Sequence, residues 1–150
     1  MLQKVNVKNK KAYFEYESLS NFKAGIILLG SEIKSIRNNH VNLSDSYCIA
    51  IDNEVFIRNL HIGEYKHASH FNHEPKRERK LLLNKQEINK ISNKAKDKGI
   101  TIIPLRLFIN NKNIAKLEIA IAKGKKIYDK RESIKAKDIE RDLQRDIKLK

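Results

Sequence analysis

Four of the five histidines, His61, His67, His70 and His73, crowd into one short stretch of the chain. Imidazole is the commonest side-chain metal ligand and proton shuttle near neutral pH. His67 and His70 stand three apart, as on one face of a helix, but no HExxH or HxH pattern accompanies them. The single cysteine, Cys48, lies in a stretch of strand character. A metal centre needs several ligands converging at set spacings, and one thiol alone builds neither such a centre nor an intrachain disulfide. The cluster therefore reads as a polar loop, with no metal and no cofactor expected. Asp45, Asp52 and Glu54 lie along one hairpin without a convergent pair, which gives a two-carboxylate nuclease little support. Ser, His and Asp occur without a nucleophile elbow, and Gly124-Lys125-Lys126 lacks the rest of a GxxxxGK[ST] phosphate loop. The expectation is a protein that is not an enzyme and has no catalytic residue.

The basic clusters carry more information. Residues 76–80 read KRERK, four cations and one acid, and residues 123–131 read KGKKIYDKR, five cations and one acid. Lys and Arg in such runs neutralise phosphates. Gly124 lets backbone come close, and the Tyr128 ring can stack on a base. The whole chain has 32 Lys and Arg against 18 Asp and Glu, a net charge of +14. That exceeds what solubility requires and points to a polyanionic partner. A hydrophobic share of 40% argues against wholesale disorder. The 150 residues suffice for one compact domain with a short arm. No apolar run is long enough to span a bilayer, and the N-terminus lacks the apolar centre of a signal peptide. No lipidation motif is present, so the expected location is the cytoplasm.

The elements that would position these groups follow from pattern. Residues 1–11 read as a flexible basic N-terminus. Ala12–Tyr16 suits a strand, and Ala24–Leu29 is strongly apolar, with Gly25 marking a bulge or close approach. Ser31 is placed to cap a short helix over 32–37, in which Ile33 and Ile36 share a face and Glu32 suits the dipole. Residues 41–60 read as a hairpin turning at Asp52-Asn53. Residues 61–80 read as a long surface loop. Asn84 with Glu87 three residues on is a capping box for a helix carrying Ile88, Ile91 and Ala95, ended by Gly99. Ile100–Ile109 and Ile114–Ala122 are strands joined by a turn, and Pro104 puts the first at an edge or a bulge. From residue 129 the pattern changes. Ile139, Leu143 and Ile147 form one narrow stripe in a segment with eight cations and six acids. Such a helix buries little alone, so residues 129–150 read as a tail, partly disordered when free, that orders on a partner. The class is mainly β with flanking helices, an OB-like closed β-barrel of about five to seven strands over 12–128, with a C-terminal arm.

The blocks NKKAYFEY (9–16), FKAGIILLGSEIKSIR (22–37), NLSDSYC (42–48), RKLLLN (79–84) and AKGKKIYDKR (122–131) occur in an order and spacing that resembles the SsrA-binding proteins, the small protein B family of bacterial trans-translation. The likeness runs over nearly the whole chain. It implies an OB-type barrel that binds the tRNA-like domain of transfer-messenger RNA. With elongation factor Tu, it would escort the aminoacylated RNA into ribosomes stalled on truncated messages, for ribosome rescue and peptide tagging. It also implies a tail that becomes helical on the ribosome, in the vacant message channel beside the decoding centre.

Matched residue by residue, the resemblance implies RNA-binding roles for Lys23, Glu32, Lys34, Ser35, Arg37, Lys80, Asn84, Lys123, Lys125 and Lys126. It implies a place in the decoding region and tail for Tyr128, Asp129, Lys130, Arg131 and Ile147. Two positions depart from the family pattern. Lys23 stands where the FEAG motif has Glu, and Tyr128 where many members have His, so a cation there becomes a ring that cannot be protonated. The partners expected are transfer-messenger RNA, the ribosome and the elongation factor Tu complex of the aminoacylated RNA, with no membrane and a monomeric chain. The other reading is a generic OB-like module for tRNA or ribosomal RNA.

Overall fold

The structure is a computed structural model that describes residues 5–67 and 72–125. Its elements run β1 (Asn6–Lys8), α1 (Lys10–Glu15), β2 (Tyr16–Ile26), α2 (Gly30–Arg37), β3 (Val41–Asn42), β4 (Tyr47–Ile51), β5 (Glu54–Arg58), β6 (His61–Ile62), β7 (Arg79–Leu82), α3 (Lys85–Ala95), β8 (Ile100–Ile109) and β9 (Ala115–Gly124). The described part is mainly β with flanking helices. Strand pairing runs β8-β4-β5-β7-β2-β9 and returns to β8, a ring of six, with β1 added on β8 outside it; β3 and β6 form a separate pair.

Alternation builds the core. Along β9, Ala115, Leu117, Ile119 and Ile121 face inward with the buried Val55, Ile57, Leu81, Ile102 and Leu107. Each full burial of a side chain this size contributes about 1.5–3 kcal/mol. Helix α3 packs on β4, β8 and β9 through the fully buried Ile91. Asn84 caps it as expected: its side chain accepts from Glu87 N at 2.8 Å, and the Glu87 carboxylate accepts from Asn84 N at 3.1 Å. The helix stops at Ala95, before Gly99. That glycine, at φ +81°, instead supplies the left-handed turn into β8.

Residues 12–16 are not a strand. They belong to α1 and the start of β2, because Asn9 acts as a helix cap. Its Oδ1 accepts from Ala12 N at 3.2 Å, and its Nδ2 donates to Pro104 O at 2.9 Å and Leu43 O at 3.3 Å. Ala12 then packs outside the ring on Ile103, Leu105, Ala120 and Ala122. Pro104 is at a bulge, where the β8–β9 register shifts between Pro104 and Arg106. Within the first eleven residues, Asn6–Lys8 pairs with Arg106–Phe108 of β8.

The hairpin turns where the sequence indicates, with Asp52 at φ 50° and Asn53 at φ 62° between β4 and β5. Two consecutive left-handed residues suit the twist of a tight hairpin. Asn39, Asn59 and Asn113 take the same conformation at other turns. The stretch 61–80 is only partly surface loop. It contains β6, the start of β7 and the buried His73 and Arg79.

Candidate nucleic-acid interface

Helix α2 anchors the site. Its N-cap is Leu29, and the Glu32 side chain reaches back to accept from Leu29 N at 2.8 Å. Ser31 does not cap the helix with its side chain. Its hydroxyl instead meets His73 Nδ1 at 2.8 Å, while His73 Nε2 lies 2.8 Å from Ile62 O. The carbonyl can only accept, so Nε2 donates to it. His73 is thereby committed to holding the loop against α2 and β6. Among the described residues no group of three or more His, Cys, Asp or Glu could hold a metal ion.

Glu32 is fully buried and ion-paired with the equally buried Arg79 of β7. Its other oxygen accepts from Arg77 Nη2 at 2.6 Å. Burial alone would raise the Glu32 pKa, but the Arg77 and Leu29 hydrogen bonds and the Arg79 charge outweigh it and hold the carboxyl below its ordinary value. Arg79 also donates to Leu60 O at 2.7 Å and Pro75 O at 3.1 Å. Desolvated and shared between two guanidinium groups, Glu32 fixes α2 against β7. Ser35 also faces inward. It is fully buried, and its side chain reaches no surface.

The basic run 76–80 is also not a plain solvated patch. Arg79 is internal, and Arg77 is engaged by Glu32 and donates to Ile27 O at 3.3 Å. Lys80 pairs with Glu54 at 2.9 Å and remains part-exposed. Lys80 and Leu82 alternate with the buried Arg79 and Leu81, so both face outward, and Asn84 follows them at the surface. Leu82 is 53% exposed and lies over Gly25, its cross-strand partner, where a Cβ would come within 3.1 Å of Leu82 Cβ. The sequence reading missed Leu82. The period-2 alternation of RKLL was the available signal. Lys34 and Arg37 are exposed on α2, and the Lys34 ammonium sits 5.4 Å from the Tyr65 ring centre.

Lys23 is exposed on β2, in register with Glu118 of β9. A cation opposite an acid favours the pair, which gives the departure from FEAG a local electrostatic setting. At the other end of the same ladder, Lys123 is exposed opposite Glu17. Lys125 Nζ donates to Tyr13 O at 3.0 Å, so the end of β9 is tied to α1. Lys126, Tyr128, Asp129, Lys130, Arg131 and Ile147 lie outside the described residues. The structure thus brings Lys80, Leu82 and Asn84 together at the β7–α3 junction, near the base of α2. Lys123 and Lys125 are set apart at the α1 end.

The family model of the SmpB protein matches residues 6–149. The chain belongs to the SmpB family. It is 53% identical over 145 residues to the SsrA-binding protein of Cytophaga hutchinsonii, covering 97% of this chain and 95% of that one. It is 54% identical over 141 residues to the SsrA-binding protein of Bacteroides thetaiotaomicron, covering 94% of each. A solved structure described as "tmRNA-SmpB: a journey to the center of the bacterial ribosome" superposes with a TM-score of 0.70 at 37% identity, over 82% of this chain and 86% of that one. Members of the SmpB family bind RNA and are not enzymes, and this chain is read as one of them. Among its described residues no helix is long and apolar enough to cross a membrane.

Proposed function

We propose that this SmpB-family chain binds the tRNA-like domain of transfer-messenger RNA and delivers it to stalled ribosomes for ribosome rescue and peptide tagging. The observation that carries the reading is the match to SsrA-binding proteins at above half identity along nearly the full chain. The net charge of +14 supplies the long-range attraction that such a polyanion needs. The six-strand ring with α3 packed on it supports the reading of an OB-like closed barrel, a platform that binds nucleic acid.

In this reading the RNA lies over Lys80 and Asn84, with Lys23, Lys34 and Arg37 beside them, and Glu32 and Ser35 act from inside by holding α2 in place. Lys123, Lys125 and Lys126 lead into the tail. Tyr128, Asp129, Lys130, Arg131 and Ile147 then serve the decoding region of the ribosome. Elongation factor Tu accompanies the aminoacylated RNA, and the work is done in the cytoplasm. The domain division is a barrel over 12–128 and a tail over 129–150.

The deciding experiment is to recover the tagged protein from its own cells and sequence the RNA bound to it, then add the purified protein to translation on a truncated message. One dominant tRNA-like RNA together with peptide tagging is the expected result. Recovery of bulk tRNA or ribosomal RNA, with no tagging, would replace this reading by a generic OB-like RNA-binding module.

A further inference from the structure

The outer face of β1, β8, β9 and β2 carries a basic strip of which the family blocks singled out Lys23 alone. Register places its side chains. Lys8 pairs with Arg106, Arg106 with Glu118, and Glu118 with Lys23, in one row across four strands. The next row runs Asn6, Phe108, Lys116, Gly25 and then Leu82 of β7. The flanking Leu107 and Leu117 are fully buried, so Arg106, Phe108, Lys116 and Glu118 face away from the core. Neighbouring strands are about 4.8 Å apart, so four cations lie within roughly three strand spacings. β1, β8 and β9 together carry one carboxylate, Glu118.

That carboxylate is already engaged. Arg106 Nε donates to it at 2.6 Å, and Asn21 Nδ2 at 3.3 Å. The Arg106 guanidinium also lies over the Phe108 ring, 4.2 Å from its centre. Glu118 holds the Nε edge and Phe108 lies against the plane, so the orientation of the part-exposed guanidinium is fixed. A guanidinium held in this way loses little freedom on binding a phosphate and is suited to bidentate contact.

We infer that this strip is a second phosphate-binding tract, with Arg106 as its clamp and Lys8 and Lys116 as flanking contacts, and that its occupant is the same RNA that lies over Lys80 and Asn84. The inference rests on the proposed function. Charge argues for an RNA backbone. The choice of the same RNA comes from continuity, since the Phe108-Lys116-Gly25-Leu82 row runs without a break into the β7 face. Gly25 adds no side chain of its own, and the exposed Leu82 side chain folds over it, so an apolar contact follows directly on Lys116 along this row.

The test titrates the tRNA-like domain of transfer-messenger RNA, made by transcription and fluorescently labelled, with the full chain and three variants across a salt series. Thermal melting verifies that each is folded. The two-site variant K8Q/K116Q disturbs no ion pair among the described residues. It is expected to weaken binding at least about threefold. It should also reduce the log–log salt slope by about 2, because each lysine that no longer neutralises a phosphate removes about one unit of slope. Arg106→Gln should weaken binding further. Arg106→Lys should keep most of the slope while losing affinity, because charge remains and the stacked plane is gone. Parental affinity and slope in folded K8Q/K116Q and Arg106→Gln would overturn the tract. Parental binding of this RNA combined with weakened ribosome binding would overturn the choice of occupant. If the unmodified chain itself fails to bind this RNA, it is the proposed function that fails.

Discussion

Glu32 and Arg79, 47 residues apart in the chain, are both fully buried and form an ion pair that ties α2 to β7. Removing one member leaves a buried charge without its partner, so Glu32→Ala should destabilise the fold by about 3–5 kcal/mol. The Glu32 pKa is lowered on folding. The resulting stability is fully present above the ordinary carboxyl value and is lost as pH falls through the lower, folded-state value. Denaturant titrations of parent and variant between pH 7 and pH 3 check both points (roughly the range over which carboxyl groups titrate). The gap between them should narrow at the acid end, and a gap that is constant or widens there would show that the carboxylate is not the stabilising form.

Asn84 has two assignments, helix cap and RNA contact, and two substitutions separate them. Asn84→Ala should cost about 1 kcal/mol of stability by removing the acceptor for Glu87 N. Asn84→Asp keeps that acceptor and should melt like the parent, yet it places a negative charge where the RNA backbone is proposed to lie. Lower RNA affinity in a fully stable Asn84→Asp protein supports contact. Unchanged affinity assigns Asn84 to capping alone.

Cys48 is buried, and burial pushes its thiol pKa well up. A thiol reagent should leave the native protein untouched at neutral pH and label it once denaturant unfolds it. Cys48→Ser should keep RNA binding and tagging. It should lose about 1–3 kcal/mol of stability, because a hydroxyl there needs a partner that a thiol does not. Rapid labelling of the folded protein would contradict the burial.

The strand ring and the proposed tail should divide the work. Residues 1–128 hold 24 cations and 12 acids, and 24 − 12 gives +12 of the total +14. A chain stopped after Lys130 should bind the free tRNA-like domain within about threefold of the parent, about 0.6 kcal/mol, while peptide tagging on truncated message falls sharply. Ile147→Asp should give a milder form of the tagging defect, and Tyr128→Ala tests stacking at the start of the tail. Measuring affinity and tagging on the same preparations decides the matter. A truncation that abolishes free-RNA binding, or that spares tagging, removes the division.

What could be read from the sequence was local. The α3 cap, the Asp52-Asn53 hairpin and the Pro104 bulge each rest on residues within a few positions of one another, and each is found. Helix α1 was out of reach of periodicity. It has six residues and one buried side chain, Ala12, and its cap, Asn9, also spends its amide on Pro104 and Leu43, far off in sequence. The buried pair was hidden for the same reason. Glu32 reads as a dipole-matched helix residue and Arg79 as one of a charged run, and only the packing of α2 on β7 joins them. Of the RNA-binding residues inferred from the family blocks, Lys23, Lys34, Arg37, Asn84 and Lys123 are exposed where a partner could reach them. Charge patterning alone could not tell these from Arg79.

The closure of the strand ring has a consequence for the birth of the chain. Glu17 in β2 meets Lys123 in β9 across about a hundred residues of sequence, so the ladder that closes the ring is the last to become possible during synthesis. At roughly 5–20 residues per second, β2 waits about 5–20 s on the translating ribosome before its partner exists. During that time one long strand edge and the apolar faces of β4, β5 and β7 have no finished core to join. A codon that halts translation of this message before β9 is made would leave an open sheet rather than a smaller working protein, because the ring of strands closes only when β9 pairs with both β2 and β8.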